Sequence, residues 1–96
     1  MIVKQLDYCN NELYITEYGR VYLKDRFGYL KERPIEKGRV KLWYKTKLIS
    51  VSVAFLVCKA FFEDFNDHSK IIHIDENKYN NRVENLMIDK GSYGTT

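Results

Sequence analysis

The stretch IIHIDENKYNNRVENL, residues 71–86, sets His73 in an apolar run and follows it with Asp75, Asn77, Asn80, Asn81 and Asn85. Imidazole is the side chain whose ordinary titration lies nearest neutral pH, so it can take a proton from water, and Asp and Asn offer oxygen donors. The plainer alternative is a half-buried histidine held by a hydrogen bond to Asn85 or to a backbone carbonyl, with Asp75 capping its own turn. A second set lies in RVKLWYK, residues 39–45. Strand alternation places Val40, Leu42 and Tyr44 on one face and Arg39, Lys41, Trp43 and Lys45 on the other. Such a face can stack a nucleobase and hold phosphates, or anchor a protein partner, since Trp and Arg serve both. His68 stands in a polar stretch and is expected to be solvated.

Charge separates the chain into two parts. From Arg20 to Lys59 there are eleven Lys or Arg, including Arg33 and Lys47, against three acids, whereas residues 60–96 carry a small acidic excess. A basic part beside an acidic part fits a polyanion-binding face, although Lys and Arg also solubilise exposed strands and guard sheet edges. At 96 residues, 45% of them hydrophobic and 30% charged, one globular domain is expected. Cys9 and Cys58 form no C-x-x-C pair, which argues against a disulfide framework and a cysteine zinc site and for a reducing cytoplasm. The longest apolar run, residues 51–60, is too short to span a bilayer, and the N-terminus lacks the order of a secretory signal, so a soluble protein is expected.

The elements that must position these residues follow from periodicity. Leu13 to Thr16 and Arg20 to Leu23 read as strands about a turn at Gly19, Tyr29 to Lys31 as a short extended piece, and Arg39 to Lys45 with Leu48 to Val51 as a hairpin. From Ser50 or Ser52 the spacing of Val53, Leu56, Val57, Ala60 and Phe61 is helical, with a serine available as cap. Lys70 to Ile74 reads as a strand, Asp75 to Lys78 as an Asx-rich turn, and NRVENLMI as a last helix capped by Asn80 or Asn81. The expected class is α+β: a small antiparallel N-terminal sheet over about residues 10–51, a core helix over 52–62, a hairpin-and-helix motif over 70–88 and a flexible tail over 89–96.

HIDENKYNNRVENL resembles the H-I-D-G-N-K-x-N-N-R-x-E-N-L signature of phage and intron-type HNH homing endonucleases, whose site is a ββα-metal fold. YITEYGRVYL, GYLK, GRVKLWYKTKLISV and AFLVCKAFF are similar to further family segments, so the resemblance covers nearly the whole chain. It implies His73 as the general base of phosphodiester hydrolysis and Asn85 as the residue that ties the hairpin together. It also implies a divalent cation, held by an Asp or Asn directly before the base and by an Asn or His beyond Leu86.

Several positions depart from that pattern. Ile72 precedes His73 and has no ligating atom, and beyond Leu86 the sequence reads DKGSYGTT after Met87 and Ile88. Asp75 and Asp89 are weak substitutes as ligands. Glu76 replaces the signature glycine, which is expected to alter the turn, and Ala54 and Phe55 stand where the family has a His-Arg pair. The resemblance with these departures predicts a phage- or mobile-element-type protein that binds rather than cuts. It would need no cofactor, and its partner would be DNA or RNA through Arg39, Lys41, Trp43, Lys45, Lys47, Arg20 and Arg33, or a host CRISPR or restriction nuclease that it inhibits. The alternatives are a Mg²⁺-dependent nicking enzyme using His73, and a structural remnant. Neither a membrane nor a small-molecule ligand is expected, and the location is the host cytoplasm.

Overall fold

Polar turns cut the first half of the chain into short strands, and the computed structural model, which describes residues 1–89, pairs them into two antiparallel sheets. The first sheet holds β1 (Val3–Tyr8), β2 (Asn11–Thr16), β3 (Val21–Lys24) and β4 (Leu30–Glu32) in chain order. The second holds β5 (Ile35–Glu36), β6 (Arg39–Tyr44) and β7 (Lys47–Ser52). Ser52 caps α1 (Val53–Phe61): its hydroxyl accepts from the Phe55 amide at 3.3 Å, while the Val53 amide donates to the Gly38 carbonyl. Two of the amides that a helix start leaves open are thereby satisfied. A polar loop leads to β8 (Lys70–His73), which pairs with β9 (Leu86–Asp89) across an Asx-rich loop and a 3₁₀ turn, Val83–Asn85. The class is α+β, with antiparallel sheets and one helix among the described residues.

Alternation in the strands and the helical period in α1 deliver one shared core. Leu13, Ile15, Val21, Val40 and Leu42 from the sheets meet Val53, Leu56, Val57 and Cys58 of α1 and Leu86 of β9, all buried. Each large member contributes about 1.5–3 kcal/mol by leaving water. Phe55, on the flank of α1, makes edge-to-face contacts with Tyr8 and Phe65 at centroid distances of 5.6 and 5.5 Å, so it closes the core and does not face the clefts described below. Burial pushes the Cys58 thiol up to about 12, which leaves it a small apolar side chain.

Three sequence expectations need correction. The last helix is absent from residues 80–89: Val83, Leu86 and Met87 have helical spacing, yet β9 pairs residue for residue with β8, and sheet pairing overrides a spacing that short. The first ten residues contain a full strand, β1, joined to β2 by a turn at Cys9 and Asn10, both at positive φ. Cys-Asn is an unusual pair for such a turn, which hid the hairpin. The strands of residues 10–51 form two sheets and not one, because β4 and β5 share no ladder. The expected flexible tail, beyond Asp89, lies outside the described residues. No helix of the described residues is long and apolar enough to cross a membrane.

Gly19 is the tightest point of the framework. It has φ +83°, and a Cβ there would stand 2.8 Å from the Asn81 carbonyl oxygen. Gly28 shares the positive φ, at +91°, but faces open space. Gly19→Ala is therefore expected to cost about 2–3 kcal/mol and Gly28→Ala about 1 kcal/mol in urea unfolding, since only the first adds a clash to backbone strain. Equal losses would show that the approach of Asn81 to the turn is not tight in solution.

Candidate functional site

The loop between β8 and β9 is built from side-chain amides. Asn85, 7% exposed, accepts the Asp75 amide on Oδ1 at 3.0 Å and donates Nδ2 to Asp75 Oδ1 and to the Asn80 carbonyl, both at 2.9 Å. Asp75 Oδ1 also accepts the Asn77 amide at 2.8 Å, and Oδ2 accepts Asn80 Nδ2 at 2.8 Å. Asn77 Oδ1 in turn accepts the Tyr79 amide at 3.0 Å. The Asn80 side chain lies in this network and caps no helix. The Asn80 hydrogen bond above all, then those of Asn77 and Asn85, holds the Asp75 carboxyl below its ordinary value of 3.8. Glu76 adopts φ +66°, a left-handed conformation that glycine would take without cost and that here carries local strain.

His73 is oriented by Asn81, not by Asn85. Its Nε2 lies 2.7 Å from Asn81 Oδ1, and Asn81 is only 6% exposed. With the amide oxygen accepting, Nε2 carries the proton of the neutral ring and Nδ1 is left as the basic nitrogen. The ring lines a cleft of about 410 Å³ with Ala54, Tyr79 and three cations, Lys37, Arg39 and Lys78. Nothing local in the sequence marks Lys37, Lys78 or Tyr79; the Lys37-Gly38 turn, with φ +54° and +76°, and the Asx loop bring them together.

The basic strand face is real but narrower than alternation implies. Arg39, Lys41 and Trp43 share the outer face of the second sheet with Ser52, Ser50 and Leu48, their partners on β7. Arg39 is held there by Ser50, with Nε to Oγ at 2.8 Å and Nη2 to the carbonyl at 2.9 Å. Arg33 joins from the β4–β5 connection, its Nη2 donating to the Lys41 carbonyl at 3.2 Å. Lys45 does not belong to the face: β6 ends at Tyr44, and Lys45 sits in the turn at φ +58° over the Tyr44 ring. Lys47 pairs with Tyr44 and so lies on the opposite face. Arg20 directly precedes β3 and pairs with Glu32 at 2.8 Å, in a cleft that shares Arg33 and Pro34 with the Trp43 groove and Tyr79 with the His73 cleft. His68 lies in the exposed loop before β8.

A hairpin locked by an asparagine, presenting a histidine between two small sheets and a helix, is a nuclease-type scaffold. The chain belongs to the HNH endonuclease family. It is 34% identical over 79 residues to an uncharacterized HNH endonuclease of Acanthamoeba polyphaga mimivirus, a match that covers 80% of this chain and 24% of the relative. The structure is similar to that of the HNH homing endonuclease I-HmuI, described for its DNA binding and cleavage, with a TM-score of 0.63 and 26% identity over 85% of this chain and 48% of the other. The chain thus spans about a quarter and about half of the lengths of these two proteins. No family model matches it.

The divalent cation implied by the resemblance does not fit the described residues. Ile72 offers only hydrocarbon, on the face of β8 opposite His73. Both carboxylate oxygens of Asp75 are engaged by amides of its own loop. Among the described residues no three His, Cys, Asp or Glu side chains converge. The second ligand expected beyond Leu86 falls, past β9, outside the described residues.

A carboxyl held below its ordinary value stabilises the fold fully above that value and loses the contribution as pH falls through the lower folded one. The gap in Tm between wild type and Asp75→Ala is therefore expected to be full at neutral pH and to close as pH falls below 3.8. A gap that does not change with pH would remove the carboxylate charge from the account. Glu76→Gly, which relieves the left-handed strain, is expected to raise stability by about 0.5–1 kcal/mol in denaturant unfolding.

Proposed function

We propose that this chain is an HNH-family domain that works by binding nucleic acid, with its outer strand face and the His73 cleft forming one basic surface. The observation that carries this is that Lys37 and Arg39 line both the Trp43 groove and the His73 cleft, so the cations of the two run together. Lys37, Arg39 and Lys78 line the cleft with His73, while the Asp75 carboxylate is engaged by its own loop. That arrangement attracts a phosphodiester but supplies no oxygen cage for an ion that would offset charge on a leaving group. The alternative, a Mg²⁺-dependent nicking enzyme with His73 as base, draws on family membership and on an imidazole held in place by Asn81.

Two measurements test this. Supercoiled plasmid incubated with Mg²⁺ or Mn²⁺ is expected to stay intact with wild type and with His73→Ala alike, whereas His73-dependent nicking would establish the enzyme. Neutralising Lys37, Arg39 and Lys41 together is expected to lower the slope of log affinity against log salt by roughly 2–3, because each lost phosphate contact removes just under one unit. Negligible affinity for any nucleic acid at low salt would point instead to a protein partner, such as a nuclease that the protein blocks.

A further inference from the structure

Trp43 has no role in the fold that explains its position. It is 60% exposed on the outer face of β6, opposite Leu48, which is itself 48% exposed, and the pair line one side of a groove of about 590 Å³. Pro34 adds another apolar surface to that groove. Four cations, Arg33, Lys37, Arg39 and Lys41, line it against one acid, Glu36. Flat apolar area beside concentrated positive charge matches a nucleotide, whose base is a flat apolar plate and whose backbone is an anion.

We infer that the Trp43 groove is a stacking site for an unpaired nucleobase, so that the ligand is single-stranded nucleic acid or a strand with one base out of the stack. The inference rests on the nucleic-acid reading above and specifies its ligand. In a paired duplex the faces of the bases are covered by their neighbours and only edges and phosphates are offered, so cations alone would serve and the exposed indole would meet nothing. Arg39, Lys41 and Trp43 are alternate residues of one strand, about 6.8 Å apart, a step comparable to that between phosphates of an extended single strand. With a base on Trp43, the adjoining backbone passes Lys41 and reaches Lys37 and Arg39, the residues shared with the His73 cleft.

Trp43 is the single tryptophan of the chain, so indole emission, excited at the red edge beyond the absorption of the tyrosines, reports on this groove alone. The test titrates the protein at low salt with a labelled single-stranded DNA, the matching RNA strand and the fully paired duplex, reading Trp emission and label anisotropy in parallel. Saturable quenching by a single strand is expected, with the DNA and RNA arms showing which backbone is preferred. The duplex is expected to leave emission unchanged. Trp43→Leu is expected to weaken single-strand binding by roughly ten- to a hundredfold, and Trp43→Phe to restore most of it. Thermal melting checks both folds, which an exposed position should leave intact. Single-strand binding seen by anisotropy with emission unmoved, or equal affinity of wild type and Trp43→Leu, overturns the stacking site while leaving nucleic-acid binding standing. Equal quenching by duplex and single strand overturns the unpaired-base requirement. No anisotropy change with any strand overturns both.

Discussion

Asn85 engages both atoms of its amide with the loop that precedes it: the oxygen takes the Asp75 amide, and the nitrogen reaches Asp75 Oδ1 and the Asn80 carbonyl. Because this side chain is buried, any bond it lost would go unreplaced by water, so the loop has little freedom to open without a penalty. The rest of the site follows from that closure. The loop, once set, presses the Asn81 backbone against Gly19 and lays Tyr79 and the Asn81 amide over Gly38. The Val83 amide meets the Glu17 carbonyl at 2.9 Å, fastening the same loop to the first sheet. Asn81 is then where His73 needs it.

The framework thus keeps the imidazole oriented among apolar and cationic neighbours. An isoleucine precedes the histidine, Ala54 walls the cleft, and Phe55 packs on the flank of the core against Tyr8 and Phe65. Positive charge reaches the cleft from elsewhere, on the β5–β6 turn, on β6 and on the Asx loop. The same fold can therefore face an anion with side-chain cations, which attract it without having to displace the tightly held water of a small divalent ion.

Much of the architecture was legible in the sequence where local patterns and tertiary demands agree. The alternation of RVKLWY, a serine cap at Ser50 or Ser52 with the helical spacing after it, and the Asx turn at Asp75 all lie where side chains also pack or bond, the cap falling to Ser52. The failures share a cause. Val83 to Met87 has helical spacing, but Leu86 and Met87 are claimed by His73 and Ile72 on the strand upstream. Lys45 continues an alternation that a two-residue turn interrupts, since the turn depends on backbone angles that Lys rarely adopts. The sequence points to Asn85 or a backbone carbonyl as the partner of the imidazole, and the structure assigns it to Asn81. Only the three-bond closure of Asn85 leaves Asn81 for the task, and that is a property of the folded loop.

The two thiols differ in a way that has a practical use. Cys58 lies wholly within the core, and its proton is held so firmly that almost no nucleophilic sulfur exists at neutral pH. Cys9 sits half-exposed in the β1–β2 turn, and the neighbouring Asn11 amide donates both to the Cys9 carbonyl and, at 2.9 Å, to the carbonyl of Trp43. The unaltered polypeptide consequently offers one addressable attachment point for an electrophilic dye, a single amide bridge away from the indole's own backbone. Donor and acceptor for an optical ruler are thus built in without cysteine engineering.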